Sequence, residues 1–265
     1  MHIAVATPLF KSMRIQVRVI GALLMREVIT RYGRRNFGFM WIFLEPMLFT
    51  MGVTLLWNLL HRTHGMRLPV TAIAMTGYST VMLWRNAATH CSRAIEPNQA
   101  LLYHHNVRVL DLFSARVILE IAGGTISMMV LFIFFMSIGW LDIPVDILRM
   151  AFSWLLLIWL TYGLGLFVGA MSERFEVFDR LWHPFTYLFF PVSGAAFMVD
   201  WLPDNWARIV LWFPTVHVTE MLRHGYFGDQ VQTYECPGYL MVFNLILLLI
   251  GLLLARETGR RVEPQ

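Results

Sequence analysis

The feature that most constrains this chain is a set of six apolar stretches, at about 39–60, 70–90, 112–140, 145–171, 182–198 and 239–255. Most reach the roughly 20 residues an α-helix needs to cross the hydrocarbon core of a bilayer. A soluble protein with one large core is the competing reading, and composition decides against it. Only 14% of residues are charged and 57% are apolar, with a mean hydropathy of +0.58. Soluble domains carry about 25% charged residues. No stretch alternates with the period of a β-strand, and no internal repeat stands out. The expected fold is an all-α polytopic membrane protein with six transmembrane helices. The stretch 112–140 is long enough to tilt or to extend out of the membrane. The stretch 182–198 is broken by Pro184 and Pro191.

Arginine orients these spans. Lys11 is the only lysine among 21 basic residues. With the N-terminus placed in the cytoplasm, fourteen basic residues fall on that side. Five fall on the other, namely Arg62, Arg67, Arg149, Arg208 and Arg223, while Arg85 and Arg116 lie inside spans. Cytoplasmic loops carry the excess of Lys and Arg, so both termini are expected there. Trp57, Trp140, Trp154, Trp201, Trp206 and Trp212 then fall near the outer interface, as an aromatic belt does. An isoelectric point near 9.3 also raises nucleic acid as a partner. Arginines that flank hydrophobic spans serve topology instead, so no nucleic-acid partner is expected. The first eleven residues lack the layout of a cleaved signal, so the first span is expected to remain in the mature protein. Cys91 inside and Cys236 outside cannot bridge one another within a subunit.

Two segments outside the spans carry structure of their own. Residues 1–38 form a cytoplasmic N-terminus, basic and amphipathic from residue 11. Within it Arg26, Glu27, Thr30, Arg31 and Arg34 share one helical face, opposite Met25, Val28, Ile29 and Tyr32. That is the pattern of a helix lying in a membrane interface. The second segment, 199–237, contains two helix-sized pieces, 205–213 and 215–226, separated by Pro214. Its aromatic content is too high for a free loop. It reads as a pair of re-entrant half-helices, which are tolerated where protein or a cavity satisfies the backbone. Residues 39–255 thus make one six-span domain, followed by a cytoplasmic tail at 256–265.

The chemistry of the chain is largely one of exclusion. A P-loop needs a lysine behind a glycine-rich turn, and Lys11 has no glycines around it. The chain is therefore expected to have no ATPase site and no cofactor of its own, and any ATP must be bound by a partner subunit. No HExxH, CxxC or GxSxG pattern occurs. The His104–His105 pair, His217 and His224 lack acidic or cysteine companions at ligand spacing, so no metal is expected.

Charges within the membrane are costly and tend to face a cavity or a partner helix. Arg116, Glu120, Gly123 and Ser127 share one face of the third span, either as an internal Arg116–Glu120 pair or as a canal wall. Tyr78, Arg85 and Thr89 share a face of the second span. Arg85 has no acidic partner in its own helix, and Glu45, just before Pro46 in the first span, is the candidate neighbour. Gly165 and Gly169 form a GxxxG suited to helix packing.

The run from Arg18 through Arg26, Glu27, Val28, Ile29, Thr30, Arg31, Tyr32 and Gly33 to Trp41, followed by Leu44, Glu45 and Pro46, carries a resemblance. It is similar to capsular-polysaccharide ABC-exporter permeases of the KpsM type, which are type-2 ABC permeases, and the likeness extends over essentially the whole chain. The resemblance implies a homodimer bound to two copies of a separate ABC ATPase subunit. It implies export of a lipid-linked acidic polysaccharide across the inner membrane and delivery to periplasmic and outer-membrane export proteins. It makes 92–110, with Arg93, Glu96, Asn98 and Arg108, the coupling segment that docks on the ATPase. A short loop at 172–181, with Glu173, Arg174, Glu176 and Asp179, would be a second contact. The segment 199–237, with Trp206, Trp212, Pro214 and Glu220, would gate the outer end of the canal. Trp41, Glu45, Tyr78, Arg85, Arg116 and Glu120 are the canal or substrate candidates, and Arg26, Arg31 and Arg34 mark the interface helix. Alternatives are a type-2 permease for O-antigen, teichoic acid or a drug, a membrane-embedded transferase, and a scaffold. A transferase wants a carboxylate or histidine cluster at one membrane face, and intramembrane charge argues against a scaffold.

Overall fold

The computed structural model describes residues 9–32, 40–61, 68–102 and 107–262. Among them are ten α-helices and no strand. In chain order they are α1 (Leu9–Tyr32), α2 (Trp41–His61), α3 (Val70–Ser92), α4 (Gln99–Leu102) and α5 (Val109–Ser137). There follow α6 (Ile147–Arg174), α7 (Glu176–Phe189), α8 (Asp204–Val210), α9 (Pro214–Phe227) and α10 (Pro237–Val262). By length and composition α5, α6 and α10 are long and apolar enough to cross a membrane. Each also exposes a row of large apolar side chains, such as Ile126, Met129 and Ile133 on α5 and Leu245, Leu249 and Leu253 on α10.

At the centre stands α3, buried along most of its length and packed against α2, α5, α6 and α9. Small and hydroxylated residues such as Ala72, Thr76, Gly77 and Thr80 let neighbours approach it closely. At 1.5 Å per residue its 23 residues extend about 35 Å, enough to match the apolar core of a bilayer. Small residues also join α5 to α6. A methyl group on Gly165 or Gly169 would lie 2.5 Å from Val117 or 2.8 Å from the Phe113 ring, so the GxxxG packs helix on helix.

Helix α1 packs Leu23, with Val19, Ile20 and Leu24, on the bundle and exposes both apolar and polar residues elsewhere. Its Met13, Ile15, Val17, Met25 and Ile29 are exposed, while Glu27 is buried against the bundle. The exposed apolar residues are what a helix lying in a membrane interface offers to lipid. Arg34 and the rest of 33–39 lie outside the described residues, as does the side chain of Arg31 at the end of α1.

Between α6 and α7 the structure corrects the sequence reading. The expected 172–181 loop does not exist. Helix α6 runs to Arg174, Phe175 alone is extended (φ −134°, ψ 105°), and Glu176 begins α7. The residues taken for a loop are the last turn of one helix and the first turns of the next. The acids Glu176 and Asp179 fit this place because the positive end of the helix dipole favours them. Pro184 does not break α7 but lies within it, and the helix ends at Phe189 in a 3-10 turn holding Pro191. With 14 residues, α7 extends only about 21 Å.

The division of 199–237 is close to expectation. The helices α8 and α9 replace the two expected pieces, and Pro214 stands at the first position of α9, where its missing N–H costs nothing. Helix α9 is buried on nearly every side. Helix α10 starts two residues earlier than expected and continues seven residues further, through Arg256, Arg260 and Arg261. Trp201, Trp206 and Trp212 are exposed, but Trp154 is buried and donates to Thr125 Oγ1 at 3.0 Å, and Trp57 packs edge-on against Tyr78.

Candidate translocation pathway and its two ends

The predicted polar face of α3 is a seam with α7 and the turn that follows it. Tyr78 packs on Phe190 (5.2 Å between ring centres), Arg85 lies 5.4 Å above the ring of Tyr187, and Trp182 Nε1 donates to Thr89 Oγ1 at 3.4 Å. The three contacts descend in register along two antiparallel helices. Tyr78 is buried among Phe49, Trp57 and Phe190, so it is a packing residue here. Arg85 is half-buried and forms no ion pair with Glu45. Its Nη2 reaches Met82 Sδ at 3.6 Å, and Tyr187 supplies a cation–π face. Trp41 and Glu45, four residues apart at the start of α2, are both exposed.

Arg116 and Glu120 do not pair with one another. Glu120 Oε1 lies 2.7 Å from His90 Nδ1 instead. The Arg116 side chain turns toward the end of α3, where Nε lies 3.2 Å from Glu27 on α1 and Nη1 donates to the carbonyls of His90 and Arg93. One guanidinium thus joins α1, the end of α3 and the start of the segment 92–110. Two further bonds repeat the link: Arg26 Nη1 donates to Asn98 Oδ1, and Gln16 Nε2 to Asp111 Oδ1 at 3.0 Å.

The other candidates at this end form a more open layer. Arg93 reaches His183 Nε2 at 3.2 Å and Asp179 at 3.9 Å, tying the segment 92–110 to α7. Glu96 is exposed and close enough to Glu173 for their charges to interact. Arg174 makes a two-pronged bond to Glu257 of α10 at 3.1 and 3.3 Å, while Glu176 pairs with Arg180 one turn along. Arg108 caps the start of α5, its N–H donating to Asp111 Oδ2 at 3.1 Å.

At the outer end α9 holds two segments at once. Its Glu220 accepts from Val199 N at 3.3 Å and from Tyr234 N at 3.4 Å. His217 accepts from Cys236 N at 3.1 Å on Nδ1, which leaves Nε2 to donate to the Leu211 carbonyl at 2.8 Å and fixes a neutral ring. His224 meets Glu235 Oε1 at 2.5 Å. Burial pushes the Glu235 carboxyl up, but the bonds from Thr233 and His224 outweigh it and hold the group below the usual carboxylate range. His217, Glu220 and His224 thus form one face of α9, clasping 233–236.

Beside this face, one turn on from Glu220, α9 presents Arg223, fully buried at 0% exposure. It donates to the carbonyls of Ala195 (2.9 Å), Phe197 and Ile73 (3.4 Å) and to Thr76 Oγ1 (3.4 Å), with Glu220 at 4.0 Å. Sequence reasoning places this arginine among the loop charges of the outer side. The only signal against that was its i, i+3 spacing from Glu220. Gly77 belongs to the same arrangement, since a methyl group there would meet the Ala195 carbonyl at 2.0 Å. Trp206 and Trp212 are exposed, the latter at 75%. Pro214 lines an apolar cavity of about 560 Å3 with Trp84, Trp182, Phe185, Phe189 and Phe213. That cavity offers stacking faces and few hydrogen-bonding groups. Among the described residues no group of three His, Cys, Asp or Glu side chains is placed to hold a metal.

Comparison with known proteins gives this arrangement a family. The chain is 47% identical over 259 residues to the capsule polysaccharide export inner-membrane protein CtrC of Neisseria meningitidis serogroup A, covering 98% of each chain. It is 46% identical to the capsule polysaccharide export inner-membrane protein BexB of Haemophilus influenzae over 96% of each. It is 28% identical to the polysialic acid transport protein KpsM of Escherichia coli, over 91% of this chain and 94% of that one. The sequence profile of ABC-2 type transporters matches residues 18–227, from the interface helix to the end of α9. The chain belongs to the ABC-2 type transporter family, as a membrane permease and not an ATPase.

Proposed function

We propose that this chain is the membrane-spanning subunit of an ABC exporter that moves a lipid-linked capsular polysaccharide across the bacterial inner membrane. The observation that carries this reading is identity of 46–47% over nearly the whole chain to two capsule polysaccharide export proteins. The arginine bias supports six spans with both termini in the cytoplasm, formed by α2, α3, α5, α6, α7 with its 3-10 turn, and α10, with α8 and α9 re-entrant from the outside. The ATPase is a separate subunit, because Lys11 is the only lysine and no P-loop surrounds it; the family resemblance makes the working unit two copies of each. Periplasmic and outer-membrane proteins receive the polymer.

Within this scheme Trp41, Glu45 and Arg85 are the best-placed canal residues. They are exposed or half-buried, and Arg85 lies against the short helix α7, which leaves Leu181, Phe185 and Leu188 uncovered. An acidic polymer is favoured by a guanidinium on the wall. The coupling segment is 92–110 with the elbow at Phe175, and the outer gate is 199–237. Tyr78 and Arg116 act through packing and linkage instead of touching the polymer.

The test is complementation. Deletion of the gene should abolish surface capsule with polymer retained inside the cell, and the chain should restore export only together with its ATPase. Purified alone, the chain should hydrolyse no ATP. Normal capsule in the deletion strain, or hydrolysis by the chain alone, would sink the reading.

A further inference from the structure

Where the start of α5 meets the end of α10, a cavity of about 390 Å3 opens beside three guanidinium groups, those of Arg108, Arg256 and Arg260. Leu110, Leu252 and Ala255 supply its apolar wall, and no carboxylate lines it. The neighbouring acids are engaged elsewhere. Asp111 accepts from Gln16 and from the Arg108 backbone, and Glu257 is held by Arg174 and Arg261. Three positive charges therefore face one space with no anion of the chain's own among the described residues.

The layout of α10 indicates what fills it. Leu252, Arg256 and Arg260 stand at i, i+4 and i+8, so a single stripe changes from apolar to cationic within one turn. Just before the change, Leu249 and Leu253 are exposed, the latter at 66%. A ligand suited to this stripe carries negative charge at one end and hydrocarbon at the other. Arginine forks bind phosphate oxygens in pairs, and basic pockets between spanning helices on the cytoplasmic side hold anionic headgroups. The positive end of the α5 dipole points the same way.

We propose that this cavity binds the headgroup of an anionic phospholipid from the surrounding bilayer. Arg108, Arg256 and Arg260 hold the phosphate while an acyl chain lies along Leu249 and Leu253. A docked ATPase is the competing occupant. The mixed-charge surface around Glu96, Glu173 and Glu176 suits a protein partner better than a purely cationic cavity with an apolar wall does. The proposal depends on the orientation that puts these helix ends in the cytoplasm, but its test uses neither export nor ATP.

The full-length permease, purified without its ATPase, is titrated with phosphatidylglycerol or phosphatidylcholine, and retained lipid is read by native mass spectrometry. Each arginine near an anionic surface is worth about fivefold in affinity. Phosphatidylglycerol should thus be retained at least about tenfold better than phosphatidylcholine, and R256Q/R260Q should lower its retention about 25-fold. R256K/R260K, which keeps both charges, should stay within a few-fold of the parent. Raising salt from about 0.05 to about 0.5 M should release phosphatidylglycerol from the unaltered protein, which decides the matter even where the glutamine variant fails to fold. Equal retention of the two lipids, salt-insensitive binding, or unchanged retention in folded R256Q/R260Q overturns the proposal. So does displacement of the lipid by millimolar inorganic phosphate, which marks a free-phosphate site. Loss of ATPase association in R256Q/R260Q with lipid retention intact also overturns it, and gives the surface to the ATPase.

Discussion

At the outer end, Arg223 is enclosed completely and spends its donors on the carbonyls of Ala195, Phe197 and Ile73 and on Thr76, while Glu220 takes the N–H groups of Val199 and Tyr234. At the cytoplasmic end, Arg93, Arg174 and Arg180 are bonded side chain to side chain with Asp179, Glu257 and Glu176 in reach of water. The first arrangement fastens backbone to backbone through a dry charge and is costly to open. The second is screened, individually weak and readily exchanged for bonds to another protein. The junction of Glu27 with Arg116 stands between them, at the cytoplasmic end but largely out of water. The two ends of the bundle thus differ, one fastened and the other adaptable.

Three substitutions grade the comparison. Arg223→Met should have the largest effect, because removing one member of a buried charged network costs about 3–5 kcal/mol. Tryptophan fluorescence during thermal unfolding in detergent should show a strongly lowered midpoint or no folded protein. An unchanged midpoint would mean that the outer closure does not depend on this charge. Glu27→Gln should cost less, about 2 kcal/mol for a charged hydrogen-bonding partner. Its sharper readout is coupling: ATPase activity of the complex should continue while export falls, and export matching the parent would show that α1 carries no load. Arg174→Ala should be smallest, about 0.5 kcal/mol for an exposed pair. A loss comparable to that of Arg223→Met would erase the distinction between the two ends.

The helices α2, α3, α5, α6 and α10 are legible in the sequence because long apolar runs are local properties. Pro214 likewise marks the α8–α9 division by its own backbone chemistry. What could not be read are the partnerships. Arg116 has Glu120 one turn away on its own helix, yet it pairs with Glu27, 89 positions earlier in the chain. Arg223 resembles any other arginine of an outer loop until the chain brings Ala195 and Ile73 around it. The α6–α7 junction misled for a different reason. Glu173, Arg174, Glu176 and Asp179 are polar enough for a loop, but they occupy helix ends, where charge is tolerated.

The elbow at Phe175 has a mechanical consequence. A loop between two helices absorbs displacement over many torsions, whereas here the chain turns from α6 into α7 through one extended residue. Any change in the angle between the two helices must be taken up by the φ and ψ of that residue. A push on the cytoplasmic tip therefore meets no slack before it reaches α7, and with it the ring of Tyr187 beneath Arg85.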